Sequence, residues 1–111
     1  MKSTPTVVWE GDTLTVVRDM SAETRRAFGT ELRNLQKGAP VDVKPMPTVG
    51  PGVREIRVWA ADGTYRAFFV HLVKETIHVL HVFKKKSQQT PQKDIDKGKV
   101  RLKGLKERLR G

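Results

Sequence analysis

Hydrophobic and polar positions alternate most clearly between Val53 and Lys86, in the stretch VREIRVWAADGTYRAFFVHLVKETIHVLHVFKKK. Three strand-like runs there hold almost all the β-branched and aromatic side chains, and three consecutive lysines close the last. Asp62-Gly63 is a tight-turn dipeptide between the first two runs. A two-residue hairpin at that point sets Ala61 opposite Thr64, Trp59 opposite Arg66 and Arg57 opposite Phe68. Lys74-Glu75 predicts a second hairpin, with Val73 opposite Thr76, Phe68 opposite His81 and Arg66 opposite Phe83. Side chains alternate between the faces of a strand. One face should therefore carry Ile56, Val58, Ala60, Tyr65, Ala67, Phe69, His71, His78, Leu80 and Val82, the expected floor for helices. The other should carry Glu55, Arg57, Trp59, Arg66, Phe68, Val70, Val79, His81 and Phe83, which gathers two arginines, a histidine and aromatics in one patch.

The flanking segments follow other periods. Thr6 to Trp9 is a short β-prone run suited to a sheet edge. Thr13 to Arg18 would place Leu14 and Val17 on one helical face, although its β-branched content argues against a helix. Ser21 to Lys37 is a stronger helix: Ser21 is a natural N-cap, Glu23 complements the positive N-terminus, Gly38 is a stop, and Phe28, Leu32 and Leu35 form one stripe. Ala39 to Gly52 holds four prolines and two glycines and reads as an extended connector. Thr90 as N-cap and Pro91 at the first position predict a basic C-terminal helix over about 91–110, with Ile95, Leu102, Leu105 and Leu109 on one side. Gly98 and Gly104 each cost that helix roughly 1 kcal/mol relative to alanine, so it should need docking to persist.

Composition narrows the class. The 111 residues suit a single domain over 1–111, and the absence of cysteine excludes disulfides, thiolate metal sites and cysteine nucleophiles. No apolar run approaches the ~20 residues of a membrane span, and the N-terminal residues lack the apolar region of a secretory signal, so a cytosolic location is expected. The formal charge is +10 and is uneven: residues 84–111 hold eleven Lys/Arg against Asp94, Asp96 and Glu107. Such a density favours a polyanionic partner, nucleic acid above all.

Candidate chemistry is limited by what is left. No phosphate-binding glycine fingerprint precedes a helix. A metal would need His71, His78 and His81 to converge, whereas the predicted register puts His78 and His81 on opposite faces. No metal or other cofactor is therefore expected. Cleavage of RNA needs none in principle, because the 2′-hydroxyl can attack the adjacent phosphorus with a base, an acid and fixed cations to assist. Arg57, Arg66, Lys84, Lys85 and Lys86 can supply cations, and arginine binds phosphate oxygens bidentately. Tyr65 and His81 are candidate proton handlers, and Phe83, Phe68 or Trp59 could stack a splayed base. Tyr65 reads more readily as a core tyrosine, and the lysine run as a solvated strand end. Their meeting on one face is the stronger signal.

The segments VGPGVREIR, GTYRAFFV and IHVLHVFKKKSQQTPQKDI resemble the phage-Gp49-like branch of the RelE/HigB toxins of type II toxin–antitoxin modules, over Val7 to about Leu105 and most specifically in LHVFKKKSQQTP. The resemblance implies an α+β fold, with N-terminal helices packed on an antiparallel sheet of three to four strands and a basic C-terminal helix. It implies a metal-independent mRNA endoribonuclease acting on the ribosome in the cytoplasm, and a cognate antitoxin, often of helix-turn-helix type, in a hetero-oligomer. Carried over by motif, Arg57 and Arg66 match basic positions of the central strands, and Lys84, Lys85 and Lys86 match the basic cluster after the last. The catalytic set expected is Arg57, Arg66, His81 and Lys85, with Arg54, Phe83, Lys84, Lys86 and Lys93 binding RNA. Many relatives carry a tyrosine or an Asp-Tyr-His group near the C-terminus, and this tail has neither histidine nor tyrosine. The base is then His81, a lysine of depressed pKa, or the substrate geometry alone. A non-catalytic RNA- or DNA-binding module, or a phage-associated structural protein, would use the same basic face.

Overall fold

The computed structural model describes residues 4–72, 75–86 and 89–110. Along the chain run β1 (Thr6–Trp9), α1 (Thr13–Arg18), α2 (Ala22–Lys37), β2 (Val43–Pro45), β3 (Arg54–Ala60), β4 (Gly63–Val70), β5 (Thr76–Lys85) and α3 (Gln92–Arg110). The strands form one sheet in the order β1-β5-β4-β3-β2, with β1 parallel to β5 and the other pairs antiparallel.

Each face of the sheet has its own core. Val17 of α1 and Phe28 of α2 pack on Ile56, Val58, Tyr65, Ala67, Phe69, Ile77, Val79 and Val82. On the opposite face Leu102 and Leu105 of α3 close over Phe68, Val70, Leu80 and Phe83, joined by Met46, Val49 and Val53. The α2 boundaries follow the predicted caps: the Thr24 N–H donates to Ser21 Oγ at 3.2 Å, and Gly38 ends the helix in the left-handed region at φ +75°. Helix α1 forms despite its β-branched residues, because Val17 is buried and Thr13 Oγ1 donates to the Glu10 carbonyl at 2.8 Å. Packing overrides weak propensity there.

Three expectations are corrected. The sheet has five strands, not three to four. Val43–Pro45 of the proline-rich connector pairs with the outer edge of β3, a place that tolerates Pro45 because an edge leaves one side without ladder bonds. The first hairpin turns at Ala61-Asp62, so Ala60 pairs with Gly63, Trp59 with Thr64 and Arg57 with Arg66. Asp62 is held in that turn by Tyr65 Oη, which donates to Oδ2 at 2.7 Å, and by Thr24 Oγ1, which donates to Oδ1 at 3.3 Å. The slip is two residues, so the side chains of β3 and β4 keep their predicted faces. Between β4 and β5 the pairs Arg66–Phe83 and Phe68–His81 stand as expected, but Phe69 then pairs with Val79. This bulge leaves Leu80 over and reverses the phase of what precedes it. Val79 faces α1 and α2, while His78 and Leu80 join His81 on the α3 side. The predicted pairing of Val73 lies outside the described residues.

Candidate nucleic-acid interface

The register stacks three rows across β3, β4 and β5 on the face towards α3: Trp59–Thr64–Lys85, Arg57–Arg66–Phe83 and Glu55–Phe68–His81. On β2, Lys44 extends the last row opposite Glu55. Arg57 and Arg66 are thus direct cross-strand neighbours, a like-charge pairing that repels unless an anion offsets it. Glu55 is that anion. Its carboxylate is fully buried, accepts from Arg66 Nη1 at 2.9 Å and from Thr90 Oγ1 at 3.4 Å, and lies 3.8 Å from the Lys44 ammonium.

The two arginines differ in what they can do. Arg66 is 6% exposed and its guanidinium is engaged by Glu55, so it is not the open phosphate clamp expected from the sequence. Arg57 is half-buried. The Nε–H of each is buried without a hydrogen-bond partner among the described residues. Lys85, beside them, has its pKa lowered first by burial and then by the charges of Arg66, Lys44 and Arg57, against an upward pull from Glu55. A lysine so placed loses its proton more readily than one in water.

Alternation splits the other predicted residues. Lys84 points to the α2 side, 3.8 Å from Asp62 and over the Tyr65 ring at 5.9 Å. Arg54 is on that side too, its guanidinium 5.7 Å from the Phe69 ring. Tyr65 packs edge-on against Phe28, and its hydrogen bond to Asp62, then burial, hold its phenol above the usual pKa. Lys86 and Lys93 are exposed around a depression of about 240 Å³ that Phe83, Pro91 and Asp94 also line. Phe83 is 9% exposed and stacks on His81 with ring centres 5.3 Å apart and planes at 17°, so it is a packing residue.

His81 is taken up by α3. Its Nε2 lies 2.7 Å from Asp94 Oδ1, and its Nδ1 faces Arg101 Nη1 at 3.5 Å. Since arginine only donates, Nδ1 is the acceptor and Nε2–H the donor, which is neutral imidazole. Burial, then Arg101 and Lys97, lower its pKa, with Asp94 opposing. His78 makes a separate pair with Glu10 at 3.0 Å. Among the described residues no group of three or more His, Asp or Glu is arranged to hold a metal ion, and no helix is long and apolar enough to cross a membrane. Glu55, Lys44, Thr90 and Asp94 were missed as site residues. The signal for Glu55 was a lone acid alternating with arginines on β3; Lys44 had none, because only the pairing of β2 brings it in.

These features define a small, strongly basic α+β protein that holds arginine and lysine side chains around one buried carboxylate on an antiparallel sheet. The family model of the phage-derived Gp49-like proteins (DUF891) matches residues 15–103. The match covers most of the chain, and the protein belongs to this phage-derived, toxin–antitoxin-associated family. A search of curated proteins finds no match.

Proposed function

We propose that this protein is the toxin of a type II toxin–antitoxin module of the RelE/HigB kind, a ribosome-dependent endoribonuclease that cuts messenger RNA in the cytoplasm and is neutralised by a cognate helix-turn-helix antitoxin. The observation that carries the reading is the juxtaposition of Arg57 with a lysine of lowered pKa, Lys85, on a face whose third cation is locked to a buried carboxylate. In this reading the neutral Lys85 amine takes the proton of the 2′-hydroxyl as its oxygen bonds to phosphorus. The P–O5′ bond breaks, the 5′-oxygen takes a proton from solvent, and a 2′,3′-cyclic phosphate and a 5′-hydroxyl remain. Arg57 and Lys44 stabilise the charge that develops on the phosphorane oxygens. Arg66 is a positioning residue: it fixes Glu55 and, with its charge, keeps Lys85 deprotonatable. His81 positions α3 and moves no proton.

The test is induction of the chain in bacteria, with mapping of messenger ends. Wild type should arrest growth and leave 5′-hydroxyl ends, while Arg57→Ala and Lys85→Ala should each cut cleavage about 100-fold with unchanged thermal midpoints. Unaffected growth and intact messenger would sink the reading. The burial of Arg66 favours a second one, a non-catalytic nucleic-acid-binding module. It predicts RNA binding lost in Arg57→Ala with no cleavage by wild type.

A further inference from the structure

We infer that Trp59 is a platform on which an unpaired nucleobase stacks. Trp59 is 66% exposed and is the only exposed large aromatic among the described residues. Phe68 and Phe83, the other aromatics of this face, are buried in the core beneath α3. An indole in water forgoes burial free energy, so its presentation calls for a reason. This ring is also tethered. Its Nε1–H donates to Asp42 Oδ2 at 3.3 Å, and Asp42 is itself anchored, its carbonyl accepting the Arg57 N–H at 2.8 Å. The tether holds the ring by its edge and leaves a face free.

Charge selects the occupant. Trp59 follows Arg57 by two residues on the same face, roughly 7 Å along the strand, and shares a row with Lys85 through Thr64. A phosphodiester held by Arg57 beside Lys85 brings its neighbouring base to the indole. Stacking suits any base, but only one that is out of a duplex. The ligand class is therefore single-stranded nucleic acid. The inference rests on the proposed use of the patch as an RNA site.

Binding is read on the full chain carrying Trp9→Phe, which leaves Trp59 as the sole indole. The probe is a 2′-O-methyl oligonucleotide of about ten residues, within the usual single-strand site sizes, that cannot be cleaved through its 2′-oxygen. Titration should quench the fluorescence to saturation, whereas an oligomer of abasic sites with the same phosphates should bind without quenching. In the wild-type background Trp59→Leu should weaken binding on the order of ten-fold and Trp59→Phe by only a few-fold. Each variant should keep the wild-type far-ultraviolet circular dichroism and thermal midpoint, because the near-ultraviolet signal changes when an indole is removed. Quenching by the abasic oligomer as strong as by the intact one, or equal affinity in Trp59→Leu, overturns the inference. Cleavage is scored separately on unmodified RNA. Cleavage by wild type without quenching sinks the platform alone; quenching without cleavage leaves the platform and sinks the nuclease reading.

Discussion

A lysine serves more readily as a base where its surroundings disfavour the ammonium, and burial and the neighbouring Arg66, Lys44 and Arg57 act on Lys85 in that direction. Its pKa lies below 10.5 in the fold, so the native state holds fewer protons than the unfolded chain between the two values. Stability from this group therefore rises with pH across that window. The cleavage rate should likewise climb with pH through the lowered pKa and then level off, and a pH–rate profile of Lys85→Arg should lack that limb. Glu55 is the opposing influence. Replacing it with Gln leaves Arg66 buried without its counter-charge, which should cost about 3–5 kcal/mol in urea unfolding. In molecules that remain folded the Lys85 limb should move to lower pH, because the one group raising its pKa is gone.

At the scale of the element, α3 decides most. It is tethered by Asp94 to His81, by Arg101 Nη1 to the Leu80 carbonyl at 3.0 Å, by Arg101 Nη2 to Asp12 at 2.7 Å, and by Arg108 to Glu10. Its two glycines, equivalent in the sequence, differ in place. A methyl at Gly98 would meet Phe68 Cδ2 and Val49 Cγ1 at 2.9 Å, whereas at Gly104 the nearest atom is Arg108 Nη1 at 3.7 Å. Gly104→Ala should stabilise by up to about 1 kcal/mol through propensity. Gly98→Ala should destabilise by about 1 kcal/mol, since overpacking outweighs the same gain. Paired denaturant melts check the difference in sign. The tether to His81 adds a pH dependence. Its folded pKa is below 6.5, so its stabilising neutral state is intact above that value and is lost as pH falls through the lowered one. Thermal midpoints should drop between pH 7 and 5, less steeply in His81→Gln.

For the whole molecule the charge of +10 matters more than any single contact. Lys85 shares the row of Trp59, Arg57 stands in the next row and Lys44 in the one after, while Lys86 and Lys93 rim the neighbouring depression. With Lys85 a neutral amine, the two cations Arg57 and Lys44 should give a plot of log affinity for single strands against log salt a slope of roughly −1.4, steeper where the depression adds contacts. Lys86→Ala with Lys93→Ala should flatten it if the depression tracks the backbone, leaving the cleavage position unchanged. Filter binding across a salt series measures both.

Local rules were enough for the strands β3 to β5, the caps of α2, the edge place of β1 and the face on which Arg57, Arg66 and His81 lie, because alternation and capping act within a few residues. The bulge was not legible: unbroken alternation put His78 and Leu80 with Val82 and Val79 with His81, and only the pairing of β5 with β4 reverses the phase before His81. Other features depended on distant segments meeting. Only the pairing of β2 with β3 brings Lys44 to Glu55, and only the docking of α3 occupies His81 with Asp94. Alternation names the face of a side chain but not its depth or partner, and that is why Arg66 read as an open clamp from the chain and is a buried ion pair in the fold.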